Sequence, residues 1–172
     1  LGLPPLSHPE FQARVARLTA KVSDPNQGFF PRKSLFWKLT GQNVNMLLGL
    51  FPLLLQLAHP PVANTLTATN AFKRNPLVRG LETYLGTGKI ISGNVREATE
   101  EANFLFKMHT NIVGGYATDP ASILWVDQTL IVAGHQFYET FVGPLSPDEV
   151  AGSYEESKSF AALFGVPEEI IP

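Results

Sequence analysis

One histidine, His109, falls in the apolar stripe of a predicted helix. Small and apolar residues recur with it at steps of four, three, four and three: Ala98, Ala102, Leu105, His109 and Ile112. An inward-facing neutral imidazole is the commonest metal ligand in proteins. The alternative is a core histidine whose ring bonds a backbone carbonyl, and helix position alone favours that alternative over a ligand.

Basic residues that could hold an anionic group lie near a predicted helix start at Asn75-Pro76, and they are Lys73, Arg74 and Arg79. Haem needs an imidazole for its iron, an apolar pocket and cations for its propionates. The chain could supply all three. Taken without other information, the same charges are typical of a solvated loop.

Several other chemistries are excluded by composition and motif. The chain has no cysteine, which excludes disulfides, zinc–thiolate sites, iron–sulfur clusters and covalently attached haem. A di-iron bundle needs Glu-x-x-His, and no glutamate precedes any of the four histidines by three residues. The Gly-x-Ser-x-Gly elbow, phosphate loops and dinucleotide fingerprints are absent as well.

The elements that must position these residues are helices, because periods near 3.6 recur and no alternating strand pattern does. We predict about seven helices, with starts at Ser7, Ser34, Asn75, Asp119 and Ser146. For the helix of His109 we predict a start at 92–94 and a stop at 114–115, where two glycines follow each other.

Two helices carry predictions about burial. The most apolar run, residues 44–58, predicts a buried central helix, since it is shorter than the roughly twenty residues that cross a bilayer. In the helix after Asn75, we predict that Leu77, Leu81, Tyr84 and Leu85 form the buried side.

The composition sets the frame for these elements. The 172 residues predict a single domain, 1–172, although a start at Leu1 rather than Met suggests a processed or partial chain. With 44% hydrophobic and 16% charged residues, the chain must bury much of its surface or present apolar patches, which is compatible with a homodimer. The net charge of −2 gives no reason to expect nucleic acid. No signal peptide is visible, which favours a cytoplasmic or membrane-associated protein over a secreted one, and membrane association is not indicated.

A set of short motifs, in this order and spacing, resembles the MpaB and latex-clearing-protein (rubber oxygenase) catalytic-domain family. The motifs are GFFP at 28–31, QLAHP at 56–60, NPLVRGLET at 75–83, HTNIVG at 109–114, DP at 119–120, WV at 125–126, PLS at 144–146 and LFGVP at 163–167. The resemblance spans about residues 28 to 172. It implies an all-α, globin-related multi-helix bundle around a pocket for one b-type haem.

The resemblance also implies roles for single residues. His109 matches the proximal iron ligand, and Arg79 and Thr83 match an Arg-x-x-x-Thr on the distal side. Members cleave carbon–carbon double bonds of isoprenoid chains with O2 to give carbonyl products. Rubber oxygenases carry a lysine where this chain has Glu82, and arginines where it has Phe106 and Val113.

We therefore predict a haem b-dependent oxygenase for an apolar, unsaturated substrate. His109 would bind the iron, Arg79 and Lys73 the haem propionates, while Arg79 and Thr83 orient oxygen and Glu82 acts as a base or pairs with a neighbouring cation. The alternative is a non-catalytic protein that binds haem or another apolar ligand. His59, at a helix boundary, and His135, on a helix with Gln128 and Glu139, compete with His109 as ligand, and a hydrogen-bonded structural role is the stronger prediction for His135.

Overall fold

The computed structural model describes residues 5–40, 50–69, 75–111 and 118–172, and within these ranges the chain is helical. Eight α-helices follow one another there: α1 His8–Thr19, α2 Leu35–Thr40, α3 Leu50–Leu57, α4 Pro60–Thr69, α5 Pro76–Ser92, α6 Val95–Thr110, α7 Pro120–Phe141 and α8 Pro147–Leu163. A short 3₁₀ turn, Glu168–Ile170, closes the chain. The described residues contain no strand, which confirms the all-α prediction. A globin-related arrangement around a haem pocket stays a prediction.

Side chains at the predicted starts cap the N-termini of most of the helices. Ser7, Asn94 and Ser146 each begin a capping box, in which a glutamate three residues later bonds back to the cap's own N–H. Asn75 and Asp119 accept hydrogen bonds from backbone N–H groups in the first turns of α5 and α7. These bonds satisfy donors that a helix start otherwise leaves unpaired.

The hydrophobic core lies where α1, α2, α6 and α8 meet. Its largest buried side chains are aromatic and aliphatic, and they include Phe11, Phe36, Phe106, Phe160 and Leu163. Helix α6 packs against α1 and α5, and α8 packs against α1, α2 and α7. The helix of His109 is therefore a central element of the fold.

The prediction that residues 44–58 form a buried central helix is wrong for the part that the structure describes. Helix α3 packs on α7 and α4, and it leaves Leu54 66% and Leu57 41% exposed. Trp125 of α7 donates its indole N–H to the carbonyl oxygen of Leu55 at 3.3 Å. These contacts cover one side of α3, so Leu54 and Leu57 face outward while Leu53 and Leu55 are half-buried. Residues 44–49 lie outside the described ranges.

The predicted buried side of α5 is wrong for its three leucines, whereas its fourth member, Tyr84, is half-buried. Leu77 is 77% exposed, and Leu81 and Leu85 are exposed too. The face that packs on α6 instead carries the small residue Gly86 and, one turn later, the fully buried Ile90. Small residues let two helix backbones approach closely. Close packing at Gly86, and not the number of leucines on a face, therefore determines which face of α5 is buried against α6.

Helix α6 ends earlier than the glycine pair at 114–115 predicts. Its last residue is Thr110, and the N–H of Asn111 caps it by bonding carbonyl oxygens of the final turn. Ile112, the last member of the predicted stripe, lies outside the described residues. In the parts of the chain that are described, no helix is both long and apolar enough to span a bilayer.

Candidate functional site

The candidate site lies between α5 and α6, which run antiparallel after a tight turn at Gly93. Near the turn, Lys89 pairs with Glu101 at 2.9 Å. One turn further from it, a Cβ added to Gly86 would lie 4.0 Å from Leu105. Following both helices away from the turn brings Arg79 of α5 level with His109 of α6.

His109 is partly buried in this seam. Burial and, to a smaller extent, the positive charge of Arg79 together lower the pKa of its imidazole to about 4. The ring is therefore neutral at pH 7. A neutral imidazole has a nitrogen lone pair to offer to a metal, whereas an imidazolium has none.

The Arg79 guanidinium forms an ion pair with Glu82. Its Nη1 lies 3.6 Å from a carboxylate oxygen of Glu82, one turn along the same helix. The Arg79 side chain is 34% exposed and that of Glu82 is 62% exposed, so water screens this ion pair and its contribution to stability is small. Glu82 was predicted to act as a base or to pair with a neighbouring cation, and the structure shows it paired with Arg79.

Thr83 lies on the same face of α5 as Arg79, as the four-residue spacing requires. Its hydroxyl donates to the backbone carbonyl oxygen of Arg79 at 3.0 Å. The Thr83 oxygen keeps its acceptor capacity while its proton is held by the helix. Lys73, predicted as a second cation for the same site, lies outside the described residues.

The two competing histidines lie elsewhere in the fold. His135 of α7 shares a 2.8 Å hydrogen bond between its Nε2 and the Ser153 hydroxyl of α8, and that hydroxyl donates to the carbonyl oxygen of Val150 at 2.9 Å. The tautomer of the His135 ring sets which partner donates in the bond to Ser153. His135 therefore joins two helices, as its predicted hydrogen-bonded role requires.

His59 stands at the start of α4 with its ring stacked on Trp125, 5.7 Å between centroids. Its Nδ1 is buried and has no hydrogen-bond partner. The contacts of this ring are to α7, and the Arg79–His109 seam is formed by α5 and α6.

Sequence reasoning missed Asp127, the most deeply buried acid among the described residues. It is 3% exposed in the middle of α7, and its Oδ1 has no hydrogen-bond partner. Burial raises the pKa of this carboxyl to about 8, against a weak bond from Gln128 at 3.3 Å. Its place between Leu124 and Ile131, at steps of three and four, was the signal that could have revealed it.

No group of three or more His, Asp or Glu side chains that could hold a metal ion by itself occurs in the described ranges. A haem iron takes four nitrogens from its porphyrin, so one protein imidazole is enough for it. Two surface cavities of about 180 and 300 Å³ are lined by residues other than His109, Arg79 and Thr83.

In the described ranges the fold is all-helical, and a neutral, partly buried histidine on one helix lies within electrostatic reach of an arginine on the preceding helix. Comparison with known families then identifies the chain more closely. The model of a family described as ER-bound oxygenase mpaB/B'/rubber oxygenase, catalytic domain, matches residues 37–172, so the chain belongs to that family of oxygenase catalytic domains. No curated protein and no solved structure matches it.

Proposed function

We propose that this chain is a haem b-dependent oxygenase that acts on an apolar, unsaturated substrate of the isoprenoid kind. The family supports oxygenase activity. The observation that carries the haem assignment is His109, whose pKa of about 4 keeps the ring neutral opposite a cationic side chain. An imidazole for the iron and a cation for a propionate are two of the three things that a haem requires.

The described residues fit a haem in their donor chemistry. His109 offers an unprotonated ring nitrogen for iron, and Arg79 offers a guanidinium for a propionate or for a polar group on the other side of the ring. Asp127 and Glu101 do not compete for this role, since carboxylates suit harder cations. When bound, the haem would supply redox chemistry towards O2.

The chain's own residues bind and orient. His109 would hold the cofactor on α6, a helix whose Ala102 and Phe106 are buried in the core. Arg79 holds a positive charge over the seam, and Glu82 at 3.6 Å restricts where that charge points. Thr83, with its proton directed at the backbone, presents an oxygen that can accept a hydrogen bond. With O2 as co-substrate, cleavage of one carbon–carbon double bond gives two carbonyl groups, so all atoms of the reactants are retained.

Hemin titration of the purified 172-residue chain tests the proposal. We expect a Soret band that saturates at one hemin per chain and, with an unsaturated isoprenoid oligomer, O2 consumption that yields carbonyl products. A spectrum identical to that of free hemin would contradict the haem assignment. Stoichiometric haem without O2 consumption would favour the non-catalytic haem-binding alternative.

A further inference from the structure

Helix α1 lies outside the residues that the family model matches, yet it packs directly on the helix that carries His109. The rings of Phe11 and Phe106 stack with centroids 4.2 Å apart and planes 10° apart. Phe11 is 0% and Phe106 is 6% exposed. Because a close-packed pair leaves no free volume, sliding one helix along the other would open a void.

The turn that follows α8 packs against the stacked rings of Phe11 and Phe106. Gly165 has a φ of +89°, and a Cβ there would lie 3.2 Å from the Phe106 ring and 3.7 Å from the Phe11 ring. Arg14, one turn after Phe11, is buried and donates from Nη1 to the carbonyl oxygen of Val166. Helix α1 and this turn therefore enclose Phe106 together.

Phe106 precedes His109 by three residues, so their side chains lie on the same side of α6, one turn apart. Leu105 contacts α5 at Gly86, on the other flank of that side. The contacts with α5 on one side and with α1 on the other thus fix the rotation of α6 about its axis and its position along that axis at His109. Both supports are buried, and the contact with α1 is the one made by stacked aromatic rings.

We propose that Phe11, acting through Phe106, is a positioning residue for the His109 imidazole, and that α1 is in this way part of the site. The proposal rests on the proposed function in so far as the positioned ring is the haem ligand. It extends the site beyond residues 37–172 to a helix for which the family match gives no role.

The test compares Phe11→Leu with Phe36→Leu in the full 172-residue chain. Phe36 is 4% exposed in the same core, where its ring contacts Phe30 and Phe160. Both variants lose the same atoms from one core, so both should unfold at lower temperature. The two readouts are the ¹H–¹³C NMR signals of the His109 ring in haem-free protein and the hemin affinity from Soret titration.

We expect Phe11→Leu to shift the His109 ring signals and to weaken hemin binding about tenfold, as loss of a supporting contact does at metal sites. Phe36→Leu should leave both readouts unchanged. Phe11→Tyr keeps the stacked ring, so it should keep both readouts although its buried hydroxyl lowers the unfolding temperature.

Unshifted His109 signals in a folded Phe11→Leu protein, or an equal shift in Phe36→Leu, would overturn the proposal. If Phe11→Leu does not fold, Phe106→Leu breaks the same stack from the other helix and is judged by the same two readouts. A wild-type chain that takes up no hemin contradicts the proposed function, and the NMR signals still decide whether Phe11 positions His109.

Discussion

Arg79 of α5 lies close enough to His109 of α6 for its guanidinium charge to add to burial in holding the pKa of the imidazole at about 4. Burial is the larger cause. Replacing Arg79 by glutamine, which keeps much of the length but removes the charge, should therefore raise this pKa only part of the way towards 6.5. NMR titration of the His109 ring in haem-free protein measures it. An unchanged pKa would show that the two groups do not interact.

The pH dependence of stability provides a second prediction from the same ring. The pKa of His109 is about 4 in the fold and near 6.5 in the unfolded chain, so between these values only the unfolded chain takes up the proton. The free energy of unfolding therefore has its full value with respect to His109 above pH 6.5. It decreases as the pH falls towards 4, by at most about 3 kcal/mol. Urea unfolding of haem-free wild type and His109→Phe should show the smaller loss in the variant.

Haem retention tests the ligand assignment. His109→Ala and His109→Phe should both lose bound haem, since each removes the ring nitrogen, and the phenylalanine variant keeps the space filled. Exogenous imidazole should partly restore the Soret band in the alanine variant only. Full haem occupancy in His109→Ala by pyridine hemochrome assay would move the assignment to His135 or His59.

For Asp127 we predict the opposite dependence of stability on pH. Its carboxyl has a pKa of about 8 in the fold and near 4 when unfolded, so the folded chain holds a proton that the unfolded chain releases in this range. Stability from this group is therefore complete below pH 4 and is lost as the pH rises to 8, by the order of 5 kcal/mol. Asp127→Asn should unfold with a flatter dependence between pH 5 and 8, whereas Asp148→Asn, at an exposed position, should follow wild type. Parallel curves for wild type and Asp127→Asn would contradict the buried, protonated carboxyl.

Two glycine substitutions should change stability in opposite directions. Gly165→Ala places a Cβ at a φ of +89° and 3.2 Å from Phe106, so it should destabilise by about 2 kcal/mol. Gly152 lies exposed within α8 with no atom near its would-be Cβ, and Gly152→Ala should stabilise by about 0.5–1 kcal/mol. Chemical denaturation of the two variants gives both values, and a Gly165→Ala protein as stable as wild type would show that the turn relaxes freely.

Helix starts were predictable from the sequence because each depends on a few adjacent residues. Asn75, Asp119 and Ser146 cap the helices that they were predicted to cap. Burial was less predictable from the sequence, since it depends on which other helix packs against each face. The leucines of α5 look like a core stripe, but the side with Gly86 packs on α6 and leaves them exposed.

The candidate site shows the same division. His109 was predictable from its stripe, because the stripe is a property of one helix. That Arg79 lies opposite it depends on the pairing of two helices, and the resemblance to a family, rather than the spacing, pointed there. Phe11 had no signal beyond its apolar stripe, since its partner lies on a distant helix, and Asp127 was hidden among apolar neighbours.

The capping boxes at Ser7, Asn94 and Ser146 bear on the order in which the chain folds. Each is completed within four residues, so α1, α6 and α8 can begin to form without waiting for a distant segment. The bond from Arg14 to Val166, in contrast, joins residues 152 positions apart. A contact between such distant residues forms most readily in an already collapsed chain, so α1 should dock late, and weakening this contact should mainly speed unfolding.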